Sequence, residues 1–267
     1  MPELPEVETV RTELQRHITG KTIGEIDLRR TSIRIPIPDL SGLHGKEISR
    51  IERRAKYLLI HFSKFKDSLV IHLGMSGKIL LGIGMERKKH DHVVFHFTDG
   101  SEMSFNDARR FGIVTLKSQA KSLFEHLGPE PFSDEFDATY LFNKLKTRKS
   151  PIKPAIMDQT LVVGVGNIYA SEALFRTKLS PKTPANKIPS AKLTELIKNI
   201  RTVLQDSITA GGSTLRDYRR ANGRIGKFQH SFDVYGKVGK LCPVCKSKIQ
   251  QITQAGRSTF FCPKCQK

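Results

Sequence analysis

The two stretches Cys242-Pro-Val-Cys245 and Cys262-Pro-Lys-Cys265 decide the fold of the C-terminal end of this sequence. They hold all four cysteines of the 267-residue chain, and 16 residues separate them. This spacing is typical of a tetrahedral zinc site built from two knuckles. Two disulfides are the alternative, which a reducing compartment disfavours. We therefore expect one structural Zn²⁺ held by four thiolates, with no open position for catalysis.

The rest of the chain divides at Gly128-Pro-Glu-Pro131, where the sequence pattern changes. Before this point, short β-branched runs separated by turn signals predict an antiparallel β-sandwich or barrel. After it, apolar residues recur at helical spacing. We expect an α+β multidomain protein with a β domain over 1–118, a helical domain over 129–226 and the finger over 233–267.

The β domain is predicted to begin with a helix from Pro5 to about Thr19, which Gly20 ends. The apolar residues at helical spacing are Val7, Val10, Leu14 and Ile18. Short strands are predicted from Thr22 to about Lys117, for example at 23–28, 55–62, 68–73 and 93–97. An Asp99-Gly100 hairpin turn follows the last of these strands.

The helical domain is predicted to contain helices at 137–146, 154–161, 167–177 and 190–210, with Ser190 as a plausible N-cap. The segment from Gly211 to Lys227 is rich in glycine and basic residues. We expect it to be a mobile loop.

The charge of the chain indicates its partner. Forty-five basic and 26 acidic residues give a net charge of +19, which favours a polyanion such as nucleic acid or an anionic membrane surface. The membrane is the weaker alternative, because the sequence has no long apolar run and no apolar signal segment. We expect a cytoplasmic protein that binds nucleic acid.

Two further features favour contacts with phosphates. Basic residues cluster at 144–153 and 216–227, which on a less basic chain would indicate only solvated faces. Gly164-Val-Gly-Asn167 precedes a predicted helix, where backbone N–H groups can meet a phosphate. A dinucleotide fingerprint is the rival interpretation, but it would need a third glycine and a parallel sheet.

The N-terminal segment carries a possible nucleophile. Removal of Met1 is common before a small residue and would make Pro2 the N-terminus. An α-amine is less basic than a lysine side chain, so an appreciable fraction is neutral and nucleophilic at pH 7. Attack by this secondary amine on a sugar carbon gives an iminium, which is an electron sink. Glu3 and Glu6 lie beside it as possible proton donors.

Eight blocks spread over the whole chain resemble one family. They are Pro2-Glu-Leu-Pro-Glu-Val-Glu8, Arg53-Arg-Ala-Lys-Tyr-Leu58, His72-Leu-Gly-Met-Ser-Gly77, Lys89-His-Asp-His92, Arg109-Arg-Phe-Gly112, Leu127-Gly-Pro-Glu-Pro131, Gly164-Val-Gly-Asn-Ile-Tyr-Ala-Ser-Glu172 and Gly256-Arg-Ser-Thr-Phe-Phe-Cys-Pro-Lys-Cys-Gln266. The chain is similar to the bacterial formamidopyrimidine-DNA glycosylases, which repair oxidised purines. Leu4-Pro5 resembles this branch, whereas the endonuclease-VIII branch, which prefers oxidised pyrimidines, typically has Gly-Pro.

The resemblance implies an N-terminal β-sandwich, a helix–two-turn–helix domain and a zinc finger, with damaged double-stranded DNA bound between domains. It implies four catalytic residues: Pro2 as the Schiff-base nucleophile, Glu3 as the acid, and Lys56 and Arg257 as proton donors for β- and δ-elimination. The residues that it implies for DNA contact are His90, Arg109, Arg148 and Asn167, together with Arg257.

The resemblance also implies that Met75, Arg109 and Phe111 fill the space left by the extruded base. Core packing is the alternative for Met75 and Phe111. Arginine offers only donors, and cytosine presents the acceptors O2 and N3. We therefore expect a preference for lesions opposite cytosine over adenine.

The implied function is a bifunctional enzyme, a monomer, that removes 8-oxoguanine and formamidopyrimidines. Its lyase activity would cut both flanking phosphodiester bonds and leave 3′ and 5′ phosphates. A glycosylase for oxidised pyrimidines is one alternative. A non-catalytic zinc-finger DNA-binding protein is another, but it has no use for an N-terminal proline beside Glu3.

Overall fold

The computed structural model describes residues 2–213 and 231–267. Of these, 2–125 and 210–213 form one compact unit, and 126–209 with 231–267 form a second. The loop expected at 211–227 lies outside the described residues from 214 onward, and the domain limits expected from the sequence stay predictions. In the described ranges, no helix is both long enough and apolar enough to cross a membrane.

The first unit is a sandwich of two antiparallel four-stranded sheets with one helix, as predicted. The sheet orders are β1-β6-β7-β5 and β2-β3-β4-β8. The elements are α1 (Leu4–Ile18), β1 (Ile23–Leu28), β2 (Ile48–Arg54), β3 (Tyr57–Phe62), β4 (Ser68–His72), β5 (Lys78–Ile83), β6 (Asp91–Phe97), β7 (Ser101–Asn106) and β8 (Ile113–Leu116).

Helix α1 packs its apolar face into the core of this sandwich. The side chains at helical spacing are at most 2% exposed and belong to the same buried cluster as the inward-facing strand residues: Val7, Val10, Leu14 and Ile18. Burying such a side chain contributes about 1.5–3 kcal/mol. This packing fixes the helix, and with it the position of Pro2, against the sandwich.

Two loops connect the sheets side by side at one edge of the sandwich. The loop 73–77 leads from β4 to β5, and the loop 107–112 leads from β7 back to β8. Their ends are paired, because His72 lies opposite Ile113 and Lys78 lies opposite Asn106. Gly74 lies where the loops touch: with φ +60°, an added Cβ would come within 2.4 Å of the Phe111 carbonyl carbon. Only glycine fits this approach.

The second unit combines four α-helices and a two-stranded hairpin. The helices are α2 (Ala138–Leu145), α3 (Ile152–Ile156), α4 (Asn167–Arg176) and α5 (Ser190–Thr209), and the hairpin strands are β9 (Gln250–Gln254) and β10 (Arg257–Phe261). Three of the predicted helices agree with these bounds to within one residue at each end.

The helix predicted at 154–161 is wrong in its extent. Pro154 lies in the first turn of α3, where a missing N–H costs no helical hydrogen bond. The helix then ends at Ile156, because polar side chains bind the following backbone. The Asp158 carboxylate accepts from Thr160 N at 3.0 Å, and Gln159 Oε1 accepts from Gly164 N at 2.9 Å. Such local bonds compete with helix formation.

Candidate active site and nucleic-acid contacts

Pro2 and Glu3 are held at the N-terminus of α1. Both are buried, with Glu3 only 3% exposed as the N-cap. Glu6, also buried, accepts from Glu3 N at 2.9 Å through Oε2, and from Ser213 N and Oγ at 2.8 Å through Oε1. The Glu6 carboxylate therefore fixes the backbone on which Pro2 and Glu3 sit. The positive end of a helix dipole also lies here.

Lys56 lies in the tight turn between β2 and β3, which is braced from α1. Ala55 adopts φ +54° in this turn. Arg53 Nε donates to Glu8 of α1 at 2.8 Å, and Arg53 Nη1 donates to the Ala55 carbonyl at 3.0 Å. One arginine thus ties the Lys56 turn to the helix that begins beside Pro2.

His72 is a residue to which the sequence assigned no role. Its ring lies 4.7 Å from that of Tyr57, and its Nδ1 accepts from Gly74 N at 3.0 Å. Burial, followed by the charges of Lys56 and Arg34, lowers the pKa of His72 from 6.5 to about 4. The ring is therefore neutral at pH 7 and carries its hydrogen on Nε2. The only sequence signal is its place at the start of the His72 to Gly77 block.

The adjacent loops 73–77 and 107–112 carry Met75, Arg109 and Phe111 on the same edge of the sandwich. Met75 and Phe111 are 36% and 44% exposed, so neither is packed in the core. The Arg109 guanidinium carbon lies 5.1 Å from the centre of the Phe111 ring, a cation–π contact. His90 joins the same region through its backbone, because its carbonyl accepts from Asp107 N at 3.0 Å.

In the second unit, Asn167 and the hairpin that carries Arg257 are bonded together. Asn167, the first residue of α4, donates from Nδ2 to the Ser258 carbonyl at 2.9 Å. Lys153, only 1% exposed, donates to Asn167 Oδ1 at 2.5 Å and to Thr259 Oγ1 at 2.7 Å. Lys153 thus fixes the orientation of the Asn167 amide beside the exposed Arg257. In the sequence this lysine is only the last member of the basic cluster at 144–153, and its burial differs from the exposed, phosphate-binding position expected for that cluster.

Arg148 forms an ion pair, with Nη2 2.7 Å from Asp158 Oδ2. Burial acts to raise the pKa of Asp158. The hydrogen bonds from Thr160 and Arg148 outweigh it, so this pKa lies below its usual value. Both partners are about one-third exposed, so the pair lies at the surface.

The four cysteines converge as expected. All four are free thiols whose Sγ atoms lie within 4.8 Å of one another. The distances between Cys242 and Cys265 and between Cys245 and Cys262 are 3.8 and 3.4 Å. Thiolates about 2.3 Å from a tetrahedral metal lie about 3.8 Å apart, so the donor set fits one metal ion. The disulfide alternative is wrong.

Glu172 attaches the finger to α4 and was also missed by the sequence analysis. Its carboxylate is 1% exposed and accepts from the backbone N–H groups of Asp233, Val234 and Tyr235 at 2.7, 3.0 and 2.7 Å. Burial, the largest influence, raises the pKa of Glu172 in spite of these bonds. Its only sequence signal is its place at the end of the Gly164 to Glu172 block.

Comparison with known proteins covers the whole chain. Residues 1–114 match the formamidopyrimidine-DNA glycosylase N-terminal domain, 127–219 its H2TH domain, and 239–267 the zinc finger found in FPG and IleRS. A formamidopyrimidine-DNA glycosylase of a Ruegeria species is 44% identical over the full length of both chains.

Solved structures agree with these matches. A Lactococcus lactis FPG variant in complex with Fapy-dG containing DNA has a TM-score of 0.91 and 38% identity, with both chains fully covered. The complex of Lactococcus lactis Fpg with an abasic site containing DNA has a TM-score of 0.91 and 37% identity, over 99% of each chain. The chain therefore belongs to the formamidopyrimidine-DNA glycosylase family.

Proposed function

We propose that this protein excises oxidised purines from duplex DNA and then cleaves the strand at the resulting abasic site. The observation that carries the proposal is Pro2 beside Glu3, both buried and fixed by the Glu6 carboxylate at a helix N-terminus. Relatives crystallised with Fapy-dG and abasic-site DNA support both halves of the reaction. The net charge of +19 suits a polyanionic substrate.

Base excision requires the target nucleotide to leave the stack, at a cost of a few kcal/mol. With Met1 removed, the Pro2 nitrogen attacks the anomeric carbon, and the bond from this carbon to the damaged base breaks. Glu3 supplies the proton that assists sugar opening and base departure. The helix dipole opposes protonation of the amine, which keeps its lone pair available. The amine proton is lost with the departing base. Sugar opening then breaks the bond from the anomeric carbon to the protonated ring oxygen, which leaves the secondary amine as a cationic iminium.

Strand cleavage follows from this iminium, which acidifies the neighbouring sugar proton. Loss of that proton expels the 3′ phosphate oxygen, and a second elimination expels the 5′ phosphate oxygen. Lys56 and Arg257 are proposed to donate protons in the first and second eliminations. The neutral His72 adds no second cation beside Lys56.

DNA binding is proposed to use charged and amide side chains of both units. Asn167 and Arg257 would hold the phosphates that flank the extruded nucleotide, and His90, Arg109 and Arg148 would contact the duplex. Zn²⁺ would hold the two cysteine knuckles together without taking part in the reaction. We place the enzyme in the bacterial cytoplasm with the nucleoid, acting as a monomer.

Borohydride trapping tests the proposal. Protein that begins at Pro2, verified by intact mass, should become covalently linked to duplex DNA containing 8-oxoguanine. Protein that retains Met1 should not, because its ring nitrogen is an amide. Undamaged duplex is the substrate control. A protein that binds damaged DNA without being trapped would be a non-catalytic binder, and equal trapping with Met1 retained would point to Lys56 as the nucleophile.

The substrate class is tested separately with matched duplexes. Excision of 8-oxoguanine should be faster than excision of an oxidised pyrimidine in the same sequence. The reverse order would favour the endonuclease-VIII alternative, while trapping at abasic sites would be expected in either case.

A further inference from the structure

Asp107 is the first residue of loop 107–112, and its side chain bonds to this loop and to the adjacent loop 73–77. Its side chain is fully buried. Oδ1 accepts from Ser76 Oγ at 2.7 Å and from Arg109 N at 3.2 Å, while Oδ2 accepts from Gly112 N at 2.8 Å. One carboxylate therefore bonds to the residue after Met75, to the backbone of Arg109 and to the residue after Phe111.

The Asp107 backbone extends the same network to the next structural elements. Its N–H donates to the His90 carbonyl at 3.0 Å, and its own carbonyl lies 2.7 Å from His92 Nε2. That carbonyl also accepts from Arg110 N at 3.3 Å, which holds Arg110 at φ +59°. Buried hydrogen bonds of Asp107 therefore determine the conformation of the loops that carry the exposed side chains of Met75, Arg109 and Phe111.

We infer that Asp107 is a positioning residue that locks Met75, Arg109 and Phe111 into one rigid wedge. The inference rests on the proposed function, in which these three side chains fill the space left by the damaged base. Asp107 would not touch DNA. It would remove the independent motion of the two loops, so that the wedge enters the stack without first being ordered.

The charge and burial of Asp107 support this role. Three donors converge on a desolvated carboxylate, and hydrogen bonds to a charged acceptor are about twice as strong as neutral ones. Loss of one partner also leaves a buried polar group unsatisfied. An asparagine at position 107 would have nearly the same shape but only one acceptor oxygen. Asp107→Asn should therefore loosen the loops while the sandwich strands keep their own pairing.

The experiment compares Asp107→Asn and Ser76→Ala with the wild-type protein and with Ser118→Ala. Ser118 Oγ donates to Asp67 at 2.5 Å and also joins two loops of this unit, so Ser118→Ala removes a serine–aspartate bond at an exposed position away from the wedge. Three quantities are measured: kcat/KM for 8-oxoguanine opposite cytosine, the ratio of this value to that opposite adenine, and borohydride trapping on an abasic site in single-stranded DNA. The last substrate has no stack to fill.

For duplex substrate, Asp107→Asn should lower kcat/KM about tenfold and Ser76→Ala about threefold, as expected for loss of bonds to a buried charge. The cytosine-to-adenine ratio should fall in both variants, and single-stranded trapping should match wild type. Ser118→Ala should behave as wild type in all three measurements. Ser76→Ala removes only one hydroxyl, so it decides the question if Asp107→Asn does not fold.

Wild-type duplex kinetics and base ratio in Ser76→Ala would overturn the inference. An equal loss of duplex excision and single-stranded trapping would also overturn it, because Asp107 would then support the fold rather than the wedge. A wild-type protein that is not trapped at all would instead reject the proposed function, independently of either variant.

Discussion

Arg109 carries its guanidinium on an exposed loop, stacked on Phe111, rather than in the protein interior. The backbone below it is held by Asp107, so the side chain projects from a fixed point. A guanidinium has five N–H donors and no acceptor. It can therefore pair with the acceptor edge of cytosine but meets an amino donor on adenine.

Replacement of Arg109 by alanine should erase most of the preference for lesions opposite cytosine. The expected loss is on the order of 1–3 kcal/mol of discrimination, as for other contacts to base edges. The measurement is the ratio of kcat/KM values on the two duplexes. Arg110→Ala removes the same charge from the same loop and serves as the control. If Arg109→Ala keeps the wild-type ratio, Arg109 does not read the partner base.

His72 makes the stability of the first unit depend on pH. Its pKa is about 4 in the folded protein and near 6.5 when unfolded, because burial and the Lys56 charge disfavour the cation. Between these values the unfolded chain binds more protons, so the contribution is complete above pH 6.5 and is lost as the pH falls to 4. The loss should reach up to about 3 kcal/mol.

Substitution of His72 by asparagine should flatten this part of the pH profile. The Asn Oδ1 can accept from Gly74 N in place of Nδ1, and an amide does not titrate. Chemical denaturation at several pH values between 4 and 7 measures the effect. His17→Asn, at an exposed position, controls for loss of a histidine. An unchanged slope in His72→Asn would mean that other groups cause the acid sensitivity.

At the scale of elements, the finger depends on its metal ligands and on its attachment to α4. The segment of about 35 residues from 233 is too small to bury a sufficient core by itself, so metal binding should supply much of its folding free energy. The attachment includes the Glu172 bonds, the Lys153 bonds to the hairpin and the bond from Asn167 to Ser258. Loss of the metal should therefore displace Arg257.

Cys245→Ser should unfold the finger and abolish tight binding to damaged DNA while the sandwich stays folded. Metal content, fluorescence anisotropy with labelled duplex and proteolysis together measure this outcome. Val244→Ser changes a neighbouring residue that is 64% exposed and should retain both metal and affinity. An undiminished affinity of Cys245→Ser for damaged DNA would mean that the finger does not contribute to DNA binding.

The elements that could be predicted from the sequence are those with an undisturbed hydrophobic period. Helix α1 and helix α5 fall into this class. Strand β2 does not. A register irregularity between Ile48 and Arg50 allows Ile48 and Ile51 both to be buried, and their separation of three residues resembles helical spacing. Strand β7 is central in its sheet but carries the buried polar residues Glu102, Ser104 and Asn106.

The site divides in the same way. Pro2 and the cysteines could be singled out because their chemistry or spacing is unusual. The roles of His72, Asp107, Lys153 and Glu172 could not be predicted, because the blocks at 72–77 and 164–172 and the basic cluster at 144–153 do not indicate the partners of the residues that they contain. Their roles arise from contacts that only the fold defines, as with Asp107 and Ser76, or with Lys153 and Thr259, 106 positions apart. No local pattern contains that information.

For the whole molecule, the net charge of +19 should dominate affinity and make it strongly dependent on salt. Most of this charge acts on any duplex, damaged or not. The proposed phosphate contacts are a small subset, so single substitutions should change the salt dependence in steps of about one counterion.

Arg257→Ala should weaken binding to lesion and undamaged DNA alike and reduce the salt slope by about one ion. Anisotropy titrations at several salt concentrations measure the slope. Lys240→Ala removes a charge from an exposed part of the same finger and should change the slope less. A slope unaffected by Arg257→Ala would mean that Arg257 makes no phosphate contact.

The paired loops between the sheets also determine how a force from bound DNA would be distributed in the protein. Bending a short duplex site costs on the order of 1–6 kcal/mol, so bent DNA exerts a restoring force on the side chains inserted into it. Loops 73–77 and 107–112 are each anchored at both ends in strands of different sheets. In the proposed complex, the force of the duplex on Phe111 would therefore be shared by two hydrogen-bonded sheets. We therefore expect the duplex, rather than the two loops, to deform in the proposed complex.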